Sequence, residues 1–174
     1  MKFYSRSALA AAITLGIHAG GVAAQVRTLD AAVARGDASG SFYLRYESVD
    51  EGNALKNAEA LTLRSALKYT TATLNGFSGV LELEDVRIVG VDDYTVPQSG
   101  YNPGKYSTIA DPETTEVTQS YLQYASGGFT TRLGRQDIRY DNQRFIGAVP
   151  WRQDYQTFDA FTLEYKKDAA QTYT

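Results

Sequence analysis

The chain has 174 residues, with 17 basic and 20 acidic side chains, a net charge of −3 and a mean hydropathy of −0.34. This length allows one domain with a core, and no apolar run approaches the roughly 20 residues of a membrane-spanning helix, which excludes a helical membrane bundle. Cysteine is absent, which excludes disulfide scaffolds and thiolate chemistry, whereas 13 tyrosines and 15 glycines favour β-structure with many turns.

Residues 1–24 are predicted to be a secretory signal peptide that is cleaved during export. Two basic residues precede an apolar stretch over residues 8–19, and V-A-A at residues 22–24 suits signal-peptidase cleavage. The apolar stretch is short and is interrupted by Gly16 and His18, which argues against a membrane anchor. Cleavage removes two basic residues and no acidic one, so the net charge falls from −3 to −5. Such an acidic chain has no electrostatic basis for binding nucleic acid.

Residues 25–39 are predicted to form an N-terminal periplasmic segment. The apolar residues Val26, Leu29 and Val33 are spaced by three and four, and Thr28 is a candidate helix N-cap. This spacing indicates either a short amphipathic helix or a tether.

Residues 40–174 change to a hydrophobic period of two, which predicts an all-β, antiparallel transmembrane β-barrel. Runs of about ten residues alternate one apolar and one polar face. Six runs show the pattern, namely SFYLRYESV, LTLRSALKYTT, GFSGVLELEDVR, TQSYLQY, FTTRLGR and FTLEY, and AAQTYT begins a seventh. Lipid cannot pair a free strand edge, and barrels made by a single chain begin at about eight strands. Six or seven strands therefore cannot close a barrel alone, and we expect an N-terminal fragment of a longer barrel; the alternative is that short chains assemble into a shared barrel.

The connections between these runs alternate between long and short, which orients the predicted barrel. Short turns belong on the periplasmic side and long loops on the extracellular side, so LNG, SGG and KKD are expected in the periplasm. Aromatic residues near the strand ends, on the apolar face, predict girdles at the membrane interfaces. These residues are Tyr46, Tyr69, Phe77, Tyr124, Phe129 and Tyr165.

No pattern in the sequence predicts catalysis, a cofactor or a metal site. Without a histidine in the mature chain there is no Ser-His-Asp arrangement, and Glu82 and Glu84 are better explained as paired inner-wall charges than as glycosidase carboxylates. The stretch GYNPGK is one residue too short between its glycines for a phosphate loop. The spacing of the predicted loop carboxylates matches no calcium motif; these are Asp92, Asp93, Asp137 and Asp141.

The polar face of the predicted strands carries long cationic side chains, which are the candidate pore-lining residues. Fixed positive charge in a lumen favours anions, and the alternative is that these cations pair with carboxylates across neighbouring strands. The strand cations are Arg45, Arg64, Lys68 and Arg132, on the same face as Glu47, Glu82, Glu84 and Glu164. Further candidates at or above the pore mouth are Arg135, Arg139, Arg144, Trp151 and Arg152, and Trp151 either stacks on a sugar or packs the loop.

The stretch LGRQDIRYDNQRFIGAVPWRQDYQTFDAFTLEY, residues 133–165, resembles the family of alginate-export outer-membrane porins. In that family a G-R-Q strand end leads through an N-x-R-F loop to W-R-Q and then T-F-D, and the resemblance extends over nearly all of residues 40–165. It implies a barrel of about 18 strands that carries polyanionic or related carbohydrate out of Gram-negative cells through an Arg/Lys-lined pore. The matching positions are Arg135, Gln136, Asn142, Arg144, Phe145, Trp151, Arg152, Gln153 and Asp159.

The sequence therefore predicts an outer-membrane porin or exporter, not an enzyme, that passes anionic polysaccharide or related solutes. Its expected partners are outer-membrane lipid, the carbohydrate or a small anionic solute, and periplasmic export partners. The alternative is a structural or adhesin-type barrel whose extracellular loops bind other molecules. Ion conductance in planar bilayers separates the two hypotheses, because only a porin conducts.

Overall fold

The computed structural model describes residues 7–19, 25–97, 99–166 and 172–173, and it is almost entirely β-structure. Within these residues the elements are β1 (Ser7–Ala19), β2 (Gln25–Val26), α1 (Leu29–Ala34), β3 (Asp37–Asp50), β4 (Ala58–Thr70), β5 (Thr73–Leu74), β6 (Phe77–Asp93), β7 (Thr114–Ser126), β8 (Phe129–Gln136), β9 (Phe158–Lys166) and β10 (Thr172–Tyr173). No helix in the described ranges is both long and apolar enough to span a bilayer.

The strands form one sheet, antiparallel along its main path, in which most neighbours in the chain are neighbours in space. The order is β1-β3-β4-β6-β7-β8-β9-β10, and β2 pairs in parallel with β5 beside this path. Among the described residues β1 and β10 are not paired with each other, so the sheet is an open wall. The all-β fold class is confirmed, and the wall is that of a partial β-barrel.

The exposed face of the wall is apolar and the buried face is polar, which is the reverse of a sheet in a water-soluble protein. Apolar side chains are exposed on the outer face, from 41% for Phe42 to 66% for Phe161. Other exposed apolar side chains on this face are those of Leu67, Phe77, Leu81, Leu83, Leu122, Phe129, Leu133 and Leu163. Polar side chains are buried on the inner face, as a wall between lipid and a polar interior requires.

Two of the predicted short turns have the backbone geometry of tight hairpins. Asn75 and Gly76 have φ of 51° and 88°, and Gly127 and Gly128 have φ of 57° and 87°. Two successive residues with positive φ match the right-handed twist of the flanking strands, which explains the sequences NG and GG. Aromatic pairs lie at the same end, Phe77 with Tyr124 at 4.7 Å and Phe129 with Tyr165 at 4.5 Å between ring centroids. Most of the KKD turn lies outside the described residues.

Part of the predicted signal peptide forms β1, which pairs along the free edge of β3. The register runs from Ser7 opposite Asp50 to Ala19 opposite Ala38. The expected cleavage site lies in residues 20–24, outside the described residues, so cleavage stays a prediction. In the uncleaved chain this segment covers the backbone groups at the edge of β3.

The helix α1 lies within residues 25–39, for which the sequence indicated either a short helix or a tether. Thr28 precedes it with an extended backbone, φ −136° and ψ 156°, although its side chain makes no capping bond to the backbone. Val26, Ala32 and Ala72 are buried together, with Leu74 packed against them. This small cluster attaches α1 to the turn between β4 and β6.

Candidate pore-lining site

Two long loops cover part of the inner face of the wall. The first loop, residues 94–113, joins β6 to β7, and the second loop, residues 137–157, joins β8 to β9. Side chains of both loops bond to the inner faces of β3, β4 and β6. The loops therefore fill space that the strands alone would leave open.

Arg45 lies in a buried cluster of two cations and two carboxylates. Its guanidinium is 2.7 Å from Glu47 and donates to Asp111 of the first loop at 2.7 Å. Arg152 of the second loop donates to Glu47 at 3.1 Å and lies 3.8 Å from Asp111. The four charges balance, which is what allows them to be buried. Burial raises the pKa of Asp111, against the opposite effects of Arg45, of the Gln153 backbone amide and of Arg152.

Gln153 fastens the second loop to the backbone of the wall. Its backbone N–H donates to Asp111 at 3.0 Å, and its side-chain amide donates to the Thr62 carbonyl oxygen at 3.0 Å, to the Thr62 hydroxyl at 2.9 Å and to the Tyr43 carbonyl oxygen at 3.2 Å. The side chain is fully buried. The W-R-Q motif thus supplies a charged contact through Arg152 and an amide contact through Gln153.

Glu82 receives a further contact from the second loop. The Tyr155 hydroxyl donates to Glu82 at 2.8 Å, and the Thr118 hydroxyl donates to the same oxygen at 2.8 Å. Burial is the main cause of the raised pKa of the Tyr155 phenol. Lys68 is more distant, with its amine 3.9 Å from the other oxygen of Glu82.

Arg64 lies between the wall and the second loop, and it is weakly paired. Its Nε is 3.7 Å from Glu84, and its guanidinium is 5.1 Å from the Tyr43 ring centroid and 5.5 Å from that of Tyr155. It also donates to the Arg152 carbonyl oxygen at 3.4 Å. The guanidinium is therefore held between two aromatic rings, one from the wall and one from the loop.

Arg132 differs from the other strand cations because it has no carboxylate within 4 Å in the described part of the chain. Its Nε donates to Gln123 at 2.8 Å, and its guanidinium lies 5.8 Å from the Tyr121 ring centroid. It lines a cleft of about 240 Å³, together with Arg139, Asp137 and Glu164. Arg139 forms an ion pair with Asp137 within the loop.

Only some of the residues predicted at the mouth lie with the inner cations: Arg139 lines the cleft of Arg132 and Arg152 joins the cluster of Arg45, whereas Arg144 and Trp151 lie apart. Arg144 lies 5.6 Å over the Phe145 ring, and its backbone N–H donates to Asn142 at 3.1 Å. Phe145 is 91% exposed and Trp151 is 58% exposed. These side chains occupy the outer part of the second loop, whereas Arg152 and Gln153 beside Trp151 turn toward the wall.

Arg135 belongs to the outer face of the wall, at the end of β8. Strand alternation places it with Leu133, and it pairs bidentately with Asp159 of β9 at 2.9 and 3.0 Å. Its neighbour Gln136 points inward, is buried, and donates to the Ala160 carbonyl oxygen at 2.9 Å. The G-R-Q and T-F-D motifs therefore join two strands, and the structure does not bring Arg135 together with Arg132.

Several residues of the inner site were missed by the sequence reasoning. Asp111 and Tyr155 lie in loops with no periodic pattern, and Thr62 and Thr118 are ordinary strand residues. Asp111 meets Arg45 across 66 positions of the chain, so no local spacing signals the pair. Among the described residues there is no group of three or more His, Asp or Glu side chains that could hold a metal ion.

The exposed apolar face, the buried polar face and the inward loops define the wall of an outer-membrane porin. The alginate export family model matches residues 45–174, and the chain belongs to this family. At the level of the family, this is a transporter that exports polysaccharide across the bacterial outer membrane. No curated protein and no solved structure matches the chain.

Proposed function

We propose that the chain forms part of an outer-membrane pore that passes anionic, alginate-like polysaccharide or related anionic solutes without a chemical step. The observation that carries this proposal is Arg132, an inward cation of the wall that has no carboxylate within 4 Å among the described residues, although Asp137 and Glu164 line the same cleft. A fixed positive charge that water can reach attracts an anion, whereas a charge already paired in a buried cluster does not.

The predicted cations contribute unequally to the proposed pore. Arg132 contributes most. Arg139 lines the same cleft but is paired with Asp137, and Arg64 and Lys68, with side chains 18% and 34% exposed, each have a carboxylate near them, so these three contribute less. Arg45 and Arg152 hold the loops through their buried ion pairs. Arg144 and Trp151 are exposed on the second loop, where a passing sugar can contact them.

The proposed route to the membrane is export through a signal peptide that is cleaved after Ala24. The short turns then face the periplasm and the two long loops face outward, in agreement with the usual arrangement of such barrels. The exposed apolar face contacts outer-membrane lipid. Polysaccharide reaches the pore from the periplasm, which requires export partners on that side.

The test is a reversal-potential measurement on the intact protein in planar bilayers under a salt gradient. We expect anion preference in the unmodified protein and a fall of about twofold or more in the anion-to-cation permeability ratio for Arg132→Ala. The matched control is Arg135→Ala, which removes the same charge from the same strand on the outer face. An unchanged ratio in Arg132→Ala would contradict the assigned role of Arg132.

A second candidate function is an adhesin-type or structural barrel whose loops bind a partner. The highly exposed Phe145 and the exposed Trp151 on the second loop favour it, because exposed aromatic side chains are common in binding surfaces. Absence of conductance in the intact, folded protein would support this candidate and contradict the porin proposal.

A further inference from the structure

The helix α1 has an exposed apolar face that the described residues do not cover. Leu29 is 72% exposed and Val33 is 54% exposed, and residues spaced by four lie on one side of a helix. Ala32, which is 3% exposed, packs in the cluster that attaches the helix to the wall. Leu29 and Val33 thus lie outside the cluster of described residues that holds the helix in place.

This helix is fixed at the end of the wall that carries the short turns. The Ala72 backbone N–H donates to the Ala32 carbonyl oxygen at 2.9 Å, which ties α1 to the turn after β4. The parallel pairing of β2 with β5 adds a second attachment to the same turn. By the orientation proposed above, this is the periplasmic end of the barrel.

The helix also touches the outer, lipid-facing side of the wall. The Tyr69 hydroxyl donates to the Val33 carbonyl oxygen, and Tyr69 shares the strand face of Leu67, which is 58% exposed. Phe77, 47% exposed on the same outer face, begins the strand that follows the turn. The exposed side of α1 is therefore continuous with the apolar surface that faces lipid.

We propose that α1 lies in the headgroup region of the inner leaflet of the outer membrane, with Leu29 and Val33 inserted among the acyl chains. Arg27 and Arg35 flank the helix, and both are exposed, so their guanidinium groups can reach phospholipid phosphates while their stems lie along apolar surface. A short helix with one apolar side and flanking arginines is suited to this interface. The inference rests on the proposed orientation of the barrel.

The absence of cysteine from the chain permits a direct test by single-cysteine labelling. Leu29→Cys, Val33→Cys and Ala34→Cys are each labelled with an environment-sensitive fluorophore in the intact protein, reconstituted in phosphatidylethanolamine and phosphatidylglycerol vesicles. Ala34 is exposed on another side of the same helix and is the matched control. Leu67→Cys on the outer face of β4 is the benchmark for a position in lipid. Nitroxide-labelled lipids then quench any fluorophore that lies in the bilayer.

We expect Leu29→Cys and Val33→Cys to be quenched several-fold more than Ala34→Cys and to approach the benchmark. Equal, weak quenching at all three helix positions would overturn the proposal and leave the barrel intact. Labels at positions 29 and 33 that are shielded from aqueous quenchers but not quenched by lipid would also overturn it, because protein would then cover the helix. If lipid quenchers do not quench the label at Leu67→Cys, the wall does not lie in lipid, which would contradict both the proposed pore and the proposed position of α1.

Discussion

The inner face of the wall has two regions that differ in how their charges are used. On the strands β3, β4 and β6, which we call the covered region, Arg45, Glu47 and Glu84 are each at most 5% exposed because the two loops lie over them. On β7, β8 and β9, the open region, Arg132 faces a cleft, and no described carboxylate lies within 4 Å of it. The same alternation of polar and apolar residues thus produces structural ion pairs in one region and an accessible charge in the other.

The comparison shows that an inward cation is not by itself a pore residue. Arg45 and Arg132 have the same residue type and both follow the inward parity of their strands. Arg45 is paired with Glu47 and with Asp111, the latter supplied by a distant loop, whereas Arg132 bonds to the neutral Gln123, lies near the Tyr121 ring and has no carboxylate within 4 Å in the described part of the chain. In the proposed function, coverage by the loops therefore separates an arginine that holds the structure from one that lines the pore.

The largest effect is expected from Asp111→Ala, which breaks the covered region. The change leaves the buried Arg45 and the partly buried Arg152 with only Glu47, so the free energy of unfolding should fall by on the order of 3 kcal/mol. Urea unfolding of the intact protein measures this loss. Asp141→Asn, an exposed change in the second loop, is the control and should leave unfolding unchanged.

Gln153→Ala should release the second loop with a smaller loss of stability. The carbonyl oxygens of Thr62 and Tyr43 lose their amide donor, at a cost of about 2 kcal/mol. We expect faster trypsin cleavage after Arg144 and a higher single-channel conductance, because the loop no longer narrows the lumen. Gln156→Ala removes an exposed amide from the same loop, and equal cleavage rates in the two variants would show that Gln153 does not fasten it.

Arg64→Ala should reduce the anion preference of the pore by less than Arg132→Ala does. The two variants compare a cation of the covered region with a cation of the open region. The Arg64 side chain is 18% exposed and lies near the Tyr43 and Tyr155 rings, which limits its effect on ions in the lumen. Reversal potentials of the two variants, measured under one salt gradient, give the order. A larger shift for Arg64→Ala would place the selective charge in the covered region instead.

Trp151→Ala should have the smallest effect on stability, within about 0.5 kcal/mol, because the side chain is largely exposed. If the indole contacts sugar, block of the ion current by added polyanionic oligosaccharide should weaken in this variant. Unfolding and current block are measured on the same preparation. A large loss of stability would instead indicate that Trp151 packs the loop.

Much of the wall could be predicted from the sequence. The six runs of period two correspond to β3, β4, β6, β7, β8 and β9, and NG and GG mark two of the tight turns. Successive side chains of a strand point to opposite faces of the sheet. The alternating sequence pattern alone therefore indicates which residues share the apolar face and which share the polar face. The resemblance singled out Arg152 and Gln153, but it left open whether they line the pore or hold the loop.

What the sequence by itself determined is therefore the all-β wall, the chemistry of its two faces and the family. Only the tertiary structure decided that Arg45 is buried in an ion-pair cluster, that Arg135 pairs on the outer face and that Arg132 has no carboxylate partner among the described residues. The physical reason is the distance along the chain between the residues that interact. Alternation acts between neighbouring residues, whereas Asp111 meets Arg45 across 66 positions and Gln153 meets Tyr43 across 110.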